Sequence, residues 1–186
     1  LNGVLDAYMG KDPKSFQYNG KTFTPVSFMQ SLGLDPNQYV EITSYTHHPF
    51  YQQFSLEVPD NWSHDLYYNV PEDDIIKTMD HALMQGYTVV WDGDVSDKGF
   101  SHRKGLAVLP DSVSVNQEAR QNAFLTWKTT DDHLMHIVGI AKDAEGNKYY
   151  ITKNSWSATS NAWGGMLYMS ERYVRLNTIA ITVNRN

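Results

Sequence analysis

The sequence predicts an α+β fold, rich in strands and flanked by helices, and three observations carry that expectation. Five Trp, twelve Tyr and seven Phe in 186 residues, within a 41% hydrophobic composition, supply the buried area that a compact mixed core needs. One long segment, residues 71–85, repeats its apolar residues at helical spacing, whereas most of the chain after Gly86 consists of short β-branched and aromatic runs between turn residues. No internal repeat, low-complexity tract or Pro/Gly/Ser linker interrupts the chain. The expected division is therefore one of character: residues 1–68 as short helices and connecting strands, and residues 69–186 as a β-rich lobe, together forming one compact unit.

The elements follow in order. Thr24 stands as an N-cap before Pro25, and Gly33 follows Leu32 where a left-handed residue ends a helix, so a short helix is predicted over 26–32. Residues 39–43 alternate as a strand does, His47-His48-Pro49 break the pattern, and 54–58 are extended again. Pro71 opens the strongest helix. Glu72, Asp73 and Asp74 put negative charge in its first turn, where unpaired N–H groups favour it, Ile75, Ile76, Met79, Ala82 and Leu83 form one apolar stripe, and Gly86 stops it. Strands over 87–91, 134–141, 148–153, 166–169 and 178–183 complete the set, with a turn at 143–147.

Composition excludes several classes. A formal net charge of −6 with no cluster of Lys or Arg gives no surface for phosphate neutralisation, so no nucleic-acid partner is expected. No apolar run approaches the roughly 20 residues that span a bilayer. The chain has no cysteine, hence no disulfide. Leu1-Asn2-Gly3-Val4 carries neither an initiator Met nor a signal-peptide pattern, and the chain reads as though cut from something longer. A cytoplasmic location is the expectation, and no cofactor is expected.

Two motifs carry chemistry. His133 begins an apolar strand, 133–139, and Asn154-Ser155-Trp156 follows the return strand 21 residues later, a separation at which strand, turn and strand bring their outer ends side by side. An Asn side-chain oxygen accepts an imidazole N–H and fixes the ring without adding charge. Trp156 is large enough to cover that hydrogen bond from water. Asp131 and Asp132 precede His133, and Asp132 is expected to support its basicity.

These residues resemble the papain-like cysteine peptidases, specifically their bleomycin hydrolase/aminopeptidase C branch. The matching features are His133 with Gly139 six positions on, the Asn154-Ser155-Trp156 signature, and Trp163-Gly164-Gly165-Met166-Leu167-Tyr168-Met169-Ser170 as the Gly-then-aromatic strand after it. Upstream, the acidic helix, the strand over 87–91 and Tyr67-Tyr68-Asn69-Val70-Pro71 match as well, and the resemblance covers nearly all of the chain. It implies a papain-like α+β fold of which this chain is the β-rich right-hand lobe, the N-terminal helical lobe being largely missing. It also implies a cysteine-type aminopeptidase with His133 as general base and Asn154 as its orienter, acting on peptide or aminoacyl amide bonds. The thiol and the oxyanion Gln would come from a Cys-bearing N-terminal half, and a homo-hexamer is the assembly of that branch. Two features depart from the pattern. Ser157 and an insertion over 158–162 replace the usual Gly after Trp156 and predict a mobile loop, and no Cys-bearing helix is present. The chain alone is therefore expected to be inactive, and the alternative reading is a catalytically dead papain-like binding or assembly module.

Other candidates are weaker. His136 lies three positions from His133, on the other face of a strand, so a two-His metal site there is not expected. His47, His48, His64, His81 and His102 show no metal-ligand spacing and are expected to serve surface or packing roles. Residues 92–99 have a faint calcium-loop pattern that lacks the required Gly and Glu. Asn61-Trp62-Ser63 is a glycosylation sequon of the kind that arises by chance.

Overall fold

The computed structural model describes residues 2–186, which form two compact units, one ending at Gln38 and one running from Tyr39 to Asn186. In the first unit, α1 (Asn2–Met9) precedes a hairpin of β1 (Phe16–Tyr18) and β2 (Lys21–Phe23). Its two-residue loop is Asn19-Gly20, with φ of 49° and 74°, the positive values that a loop matching the twist of paired strands requires. Helix α2 (Pro25–Ser31) starts where the sequence predicts. The Thr24 hydroxyl accepts the Ser27 N–H, and the Ser27 hydroxyl accepts the Thr24 N–H. The Phe28 ring packs edge-on against Phe16, Tyr18 and Phe23 at centroid distances of 5.1 to 5.3 Å.

The second unit is built on one ten-stranded sheet. Along the chain its strands and helices are β3 (Tyr39–Thr43), β4 (Gln53–Ser55), β5 (Leu66–Asn69), α3 (Glu72–Met84), β6 (Val89–Gly93), β7 (Phe100–Ser101), β8 (Leu106–Ala107), α4 (Gln117–Leu125), β9 (His133–Lys142), β10 (Lys148–Lys153), β11 (Met166–Ser170), α5 (Glu171–Asn177) and β12 (Thr178–Asn184). In space the strands run β4-β5-β3-β12-β6-β9-β10-β11-β8-β7. The sequence places a change of character at residues 68/69, but β3, β4 and β5 share this sheet with the strands that follow, because β12 pairs with β3 on one side and β6 on the other.

Helix α3 buries the predicted stripe, Ile75, Ile76, Met79 and Ala82, against the sheet residues Trp91, Ile137, Tyr150 and Leu167. Asp80 accepts from the Tyr150 hydroxyl at 2.8 Å and pairs with Lys148 at 2.6 Å, which fixes the helix along the sheet. Two helices lie where the sequence predicts strands and turns alone. Helix α4, capped by Asn116, turns Arg120 and Gln121 inward, and the Arg120 guanidinium, 2% exposed, donates to the Ser44 and Arg175 carbonyls and sits 4.8 Å from the Tyr45 ring. Its buried face is polar, so no apolar period marks it. Helix α5 is a short element capped by Ser170, whose side chain accepts the Tyr173 N–H, and Arg175 ties it to Glu72, Asp73 and Glu171.

Candidate active site

Strand β9 starts at His133, paired with Gly93 of β6, and β10 returns beside it. A bulge between Ile151 and Thr152 shifts the register so that Lys153 faces His136, and Asn154 leaves the strand on the His133 side. The Asn154 backbone is held by its N–H donating to the Gly165 carbonyl at 3.1 Å. Gly165 has φ of 78°, and a Cβ there would lie 2.8 Å from the Ser157 carbonyl oxygen, so this close approach requires glycine at 165.

The His133 Nε2 and Asn154 Oδ1 atoms are 2.9 Å apart. The orientation of the amide follows from its other neighbours. Ser155 N–H, which can only donate, is 2.7 Å from Oδ1, and Nδ2 faces His102 Nδ1 at 3.4 Å. The imidazole must then donate its Nε2–H to Asn154. Nδ1 of His133 carries the lone pair and has no hydrogen-bond partner among the described residues. The Trp156 ring covers the pair, with centroids 5.0 Å from His133 and 4.9 Å from His102, although the indole itself is 45% exposed.

His102 is the residue that sequence reasoning missed. It is buried on the single turn His102–Lys104 and receives the Asn154 Nδ2–H on Nδ1. Its Nε2–H is therefore left to donate to Ser160 Oγ at 2.6 Å, and the Ser160 hydroxyl in turn donates a hydrogen bond to the Ser157 carbonyl. Burial, with the neighbouring His133, lowers the His102 pKa from its ordinary value, which favours the uncharged ring. The inserted loop, expected to be mobile, is instead tethered. Asn161 Nδ2 donates to the His102 and Met166 carbonyls, and Asn161 Oδ1 accepts from Trp163 and Gly165 N–H.

On its other side His133 opens on a cavity of about 490 Å³ whose lining includes Glu41, Asp60, Asp92, Asp131 and Asp132, with no Lys or Arg among the described lining residues. Burial pushes the Asp92 carboxyl up, and the neighbouring Asp131 adds to the shift; Asp131 is also raised by burial. Asp92 Oδ1 is buried without a hydrogen-bond partner among the described residues. Asp132 does not pair with His133. Its Oδ1 accepts the Val95 N–H at 2.9 Å, and it shares only the cavity wall with the imidazole.

The remaining candidates resolve as follows. His136 is exposed on β9, with Nε2 2.6 Å from Thr88 Oγ1, away from His133. In the 92–99 loop both Asp94 oxygens accept backbone N–H groups, from Ser96 and Asp97 on one side and Thr130 on the other, so Asp94 fastens the loop internally. Asn61 is a buried structural residue whose side chain bonds Leu56 and Asp65, so the sequon amide is spent internally.

A family model, the Peptidase C1-like family, matches residues 6–186. The chain belongs to the Peptidase C1-like family. Among solved structures, PepW from Lactobacillus rhamnosis HN001 superposes with a TM-score of 0.77 at 15% identity, over 98% of this chain and 46% of PepW. The peptidase C1-like chain thus spans less than half the length of that relative, and the likeness shows its fold to be papain-like. Bromelain from Ananas comosus, in complex with the E64 inhibitor, matches at 16% identity over 61% of this chain and 45% of its own, with a TM-score of 0.39. A structure concerning the mite allergens Blo t 1 and Der p 1 matches at 22% identity over 63% of this chain and 32% of its own, with a TM-score of 0.41. No curated protein sequence matches.

Proposed function

We propose that this peptidase C1-like chain is the imidazole-bearing portion of a cysteine aminopeptidase of the bleomycin hydrolase kind. His133 is the general base, Asn154 positions it, and the attacking thiolate comes from a Cys-bearing N-terminal half that these 186 residues do not include. The observation that carries this reading is the 2.9 Å His133–Asn154 hydrogen bond, which leaves Nδ1 as a free acceptor. A base oriented through one nitrogen and open at the other is what thiol activation requires. The thiol proton passes to Nδ1, the thiolate attacks the substrate carbonyl carbon, and the imidazolium returns the proton to the leaving amine. The acidic cavity beside His133 supports amino-terminal specificity, since its acidic side chains, several to one space and without a basic residue among the described lining, offer acceptors to the α-ammonium of a peptide or aminoacyl amide. Homo-hexameric assembly belongs to the same proposal.

The absence of cysteine favours a second reading, a catalytically silent papain-like binding or assembly module. Joining this chain to the Cys-bearing half of a family relative, or supplying that half in trans, distinguishes the two. Hydrolysis of aminoacyl amides that disappears in His133→Ala supports the peptidase reading. No turnover from a folded, thiol-titratable complex supports the binding module.

A further inference from the structure

A second histidine cluster lies on the loop after β3, where the sequence offers two adjacent imidazoles and no ligand spacing. The structure supplies the missing partner from beyond β4. Glu57 Oε2 is 3.0 Å from His47 Nε2, Glu57 Oε1 is 2.6 Å from His48 Nε2, and one ligand atom from each of the three residues lies within 4.8 Å of the others. We propose that His47, His48 and Glu57 form a binding site for one divalent transition-metal ion of the zinc class.

Four features carry this. The donor set is two imidazole nitrogens and one carboxylate, which suits Zn²⁺, Co²⁺, Ni²⁺ or Cu²⁺ rather than the all-oxygen shells of Ca²⁺ and Mg²⁺. Both rings are already fixed in direction, His48 stacked on Phe54 at 4.1 Å and 23°, and His47 stacked on Phe124 at 5.7 Å and 20°. The outer nitrogen of His47 has the support that ligating histidines use. Its Nδ1 faces the Gln121 amide, with Oε1 at 3.3 Å and Nε2 at 3.1 Å, and Gln121 Oε1 is anchored by the Thr46 N–H. An ion on Nε2 moves the ring proton to Nδ1, where Gln121 Oε1 accepts it. Finally, the Glu57 side chain is 54% exposed, so it has room to withdraw from hydrogen-bonding to coordinating distance and leaves a solvent position open on the ion. The ion would clamp the loop after β3 to the segment after β4.

The test is isothermal titration of the tag-free, chelator-treated chain with zinc sulfate, and with cobalt chloride followed by visible absorption. One ion per chain is expected. His48→Ala and Glu57→Gln should each weaken binding by about tenfold or more, and Gln121→Ala by about tenfold. His136→Ala, a control outside the cluster, should leave binding unchanged. Near-UV circular dichroism establishes that Glu57→Gln, nearly isosteric, keeps the fold. No stoichiometric binding by the unaltered chain, or equal binding in His48→Ala and Glu57→Gln, overturns the proposal without touching the His133 reading.

Discussion

The two sides of His133 differ in charge. On one side stand uncharged hydrogen-bonding groups in sequence: His133 donates to the Asn154 amide, Asn154 to the buried His102 imidazole, and His102 to Ser160. On the other side is the cavity walled by Glu41, Asp60, Asp92, Asp131 and Asp132. The contrast teaches a division of work. Orientation of the ring is done by dipoles, which fix the Nε2–H tautomer without adding the charge of a carboxylate, and acidic side chains are kept for the space a substrate enters.

The strongest way to break this comparison is at its centre. In the protein joined to its Cys-bearing half, His133→Ala should lower kcat for aminoacyl amides by about a thousandfold or more, while His136→Ala leaves it unchanged. On the neutral side, Asn154→Ala should lower kcat by about ten- to a hundredfold with little change in KM, since one hydrogen bond to a group that becomes charged is lost. On the acidic side, Asp60→Asn together with Asp132→Asn should raise KM by about tenfold for substrates with a free α-ammonium and leave N-acetylated substrates unaffected, as steady-state kinetics on matched pairs would read. A smaller effect is expected one step out: His102→Ala should lower kcat several-fold and His102→Gln should restore part of it, because Gln offers both a donor and an acceptor to Asn154 and Ser160.

The same asymmetry has a signature in stability. Asp92 holds its proton more tightly in the folded chain than in the unfolded one, so its contribution is complete below the ordinary carboxylate range and is lost as pH rises through its raised folded value. Asp92→Asn removes that loss. Urea unfolding should show the variant gaining about 1 kcal/mol or more on the parent between pH 5 and pH 9, with little difference at pH 4 and below.

The share of this arrangement legible in the sequence follows from its periodicities. The stripe of α3, the β9–β10 hairpin and the His133–Asn154 pair all show as spacing, since each rests on strand alternation or helical recurrence of apolar residues. Helix α4 does not, because it turns Arg120 and Gln121 inward, and their burial is decided by partners far along the chain, the Ser44 and Arg175 carbonyls for Arg120 and the Thr46 N–H for Gln121. His102 is silent for a similar reason. It lies on a single turn between two strands of two residues each, and its partners, Asn154 and Ser160, are more than 50 residues away. Glu57 gave no signal beside His47 and His48, since the chain between them must fold back over Phe54 before the three meet. The inserted loop read as mobile because Ser157 and the added residues depart from the family pattern, yet Ser160 and Asn161 bond to His102.

The central claim is that Asn154 holds His133 as the Nε2–H tautomer with Nδ1 open, and long-range ¹H–¹⁵N correlation on the histidine-labelled chain at alkaline pH tests it most directly. The account predicts a protonated Nε2 and an unprotonated Nδ1 for His133, with the pattern lost in Asn154→Ala. A His133 protonated on Nδ1, or a tautomer unaltered by that substitution, would contradict it.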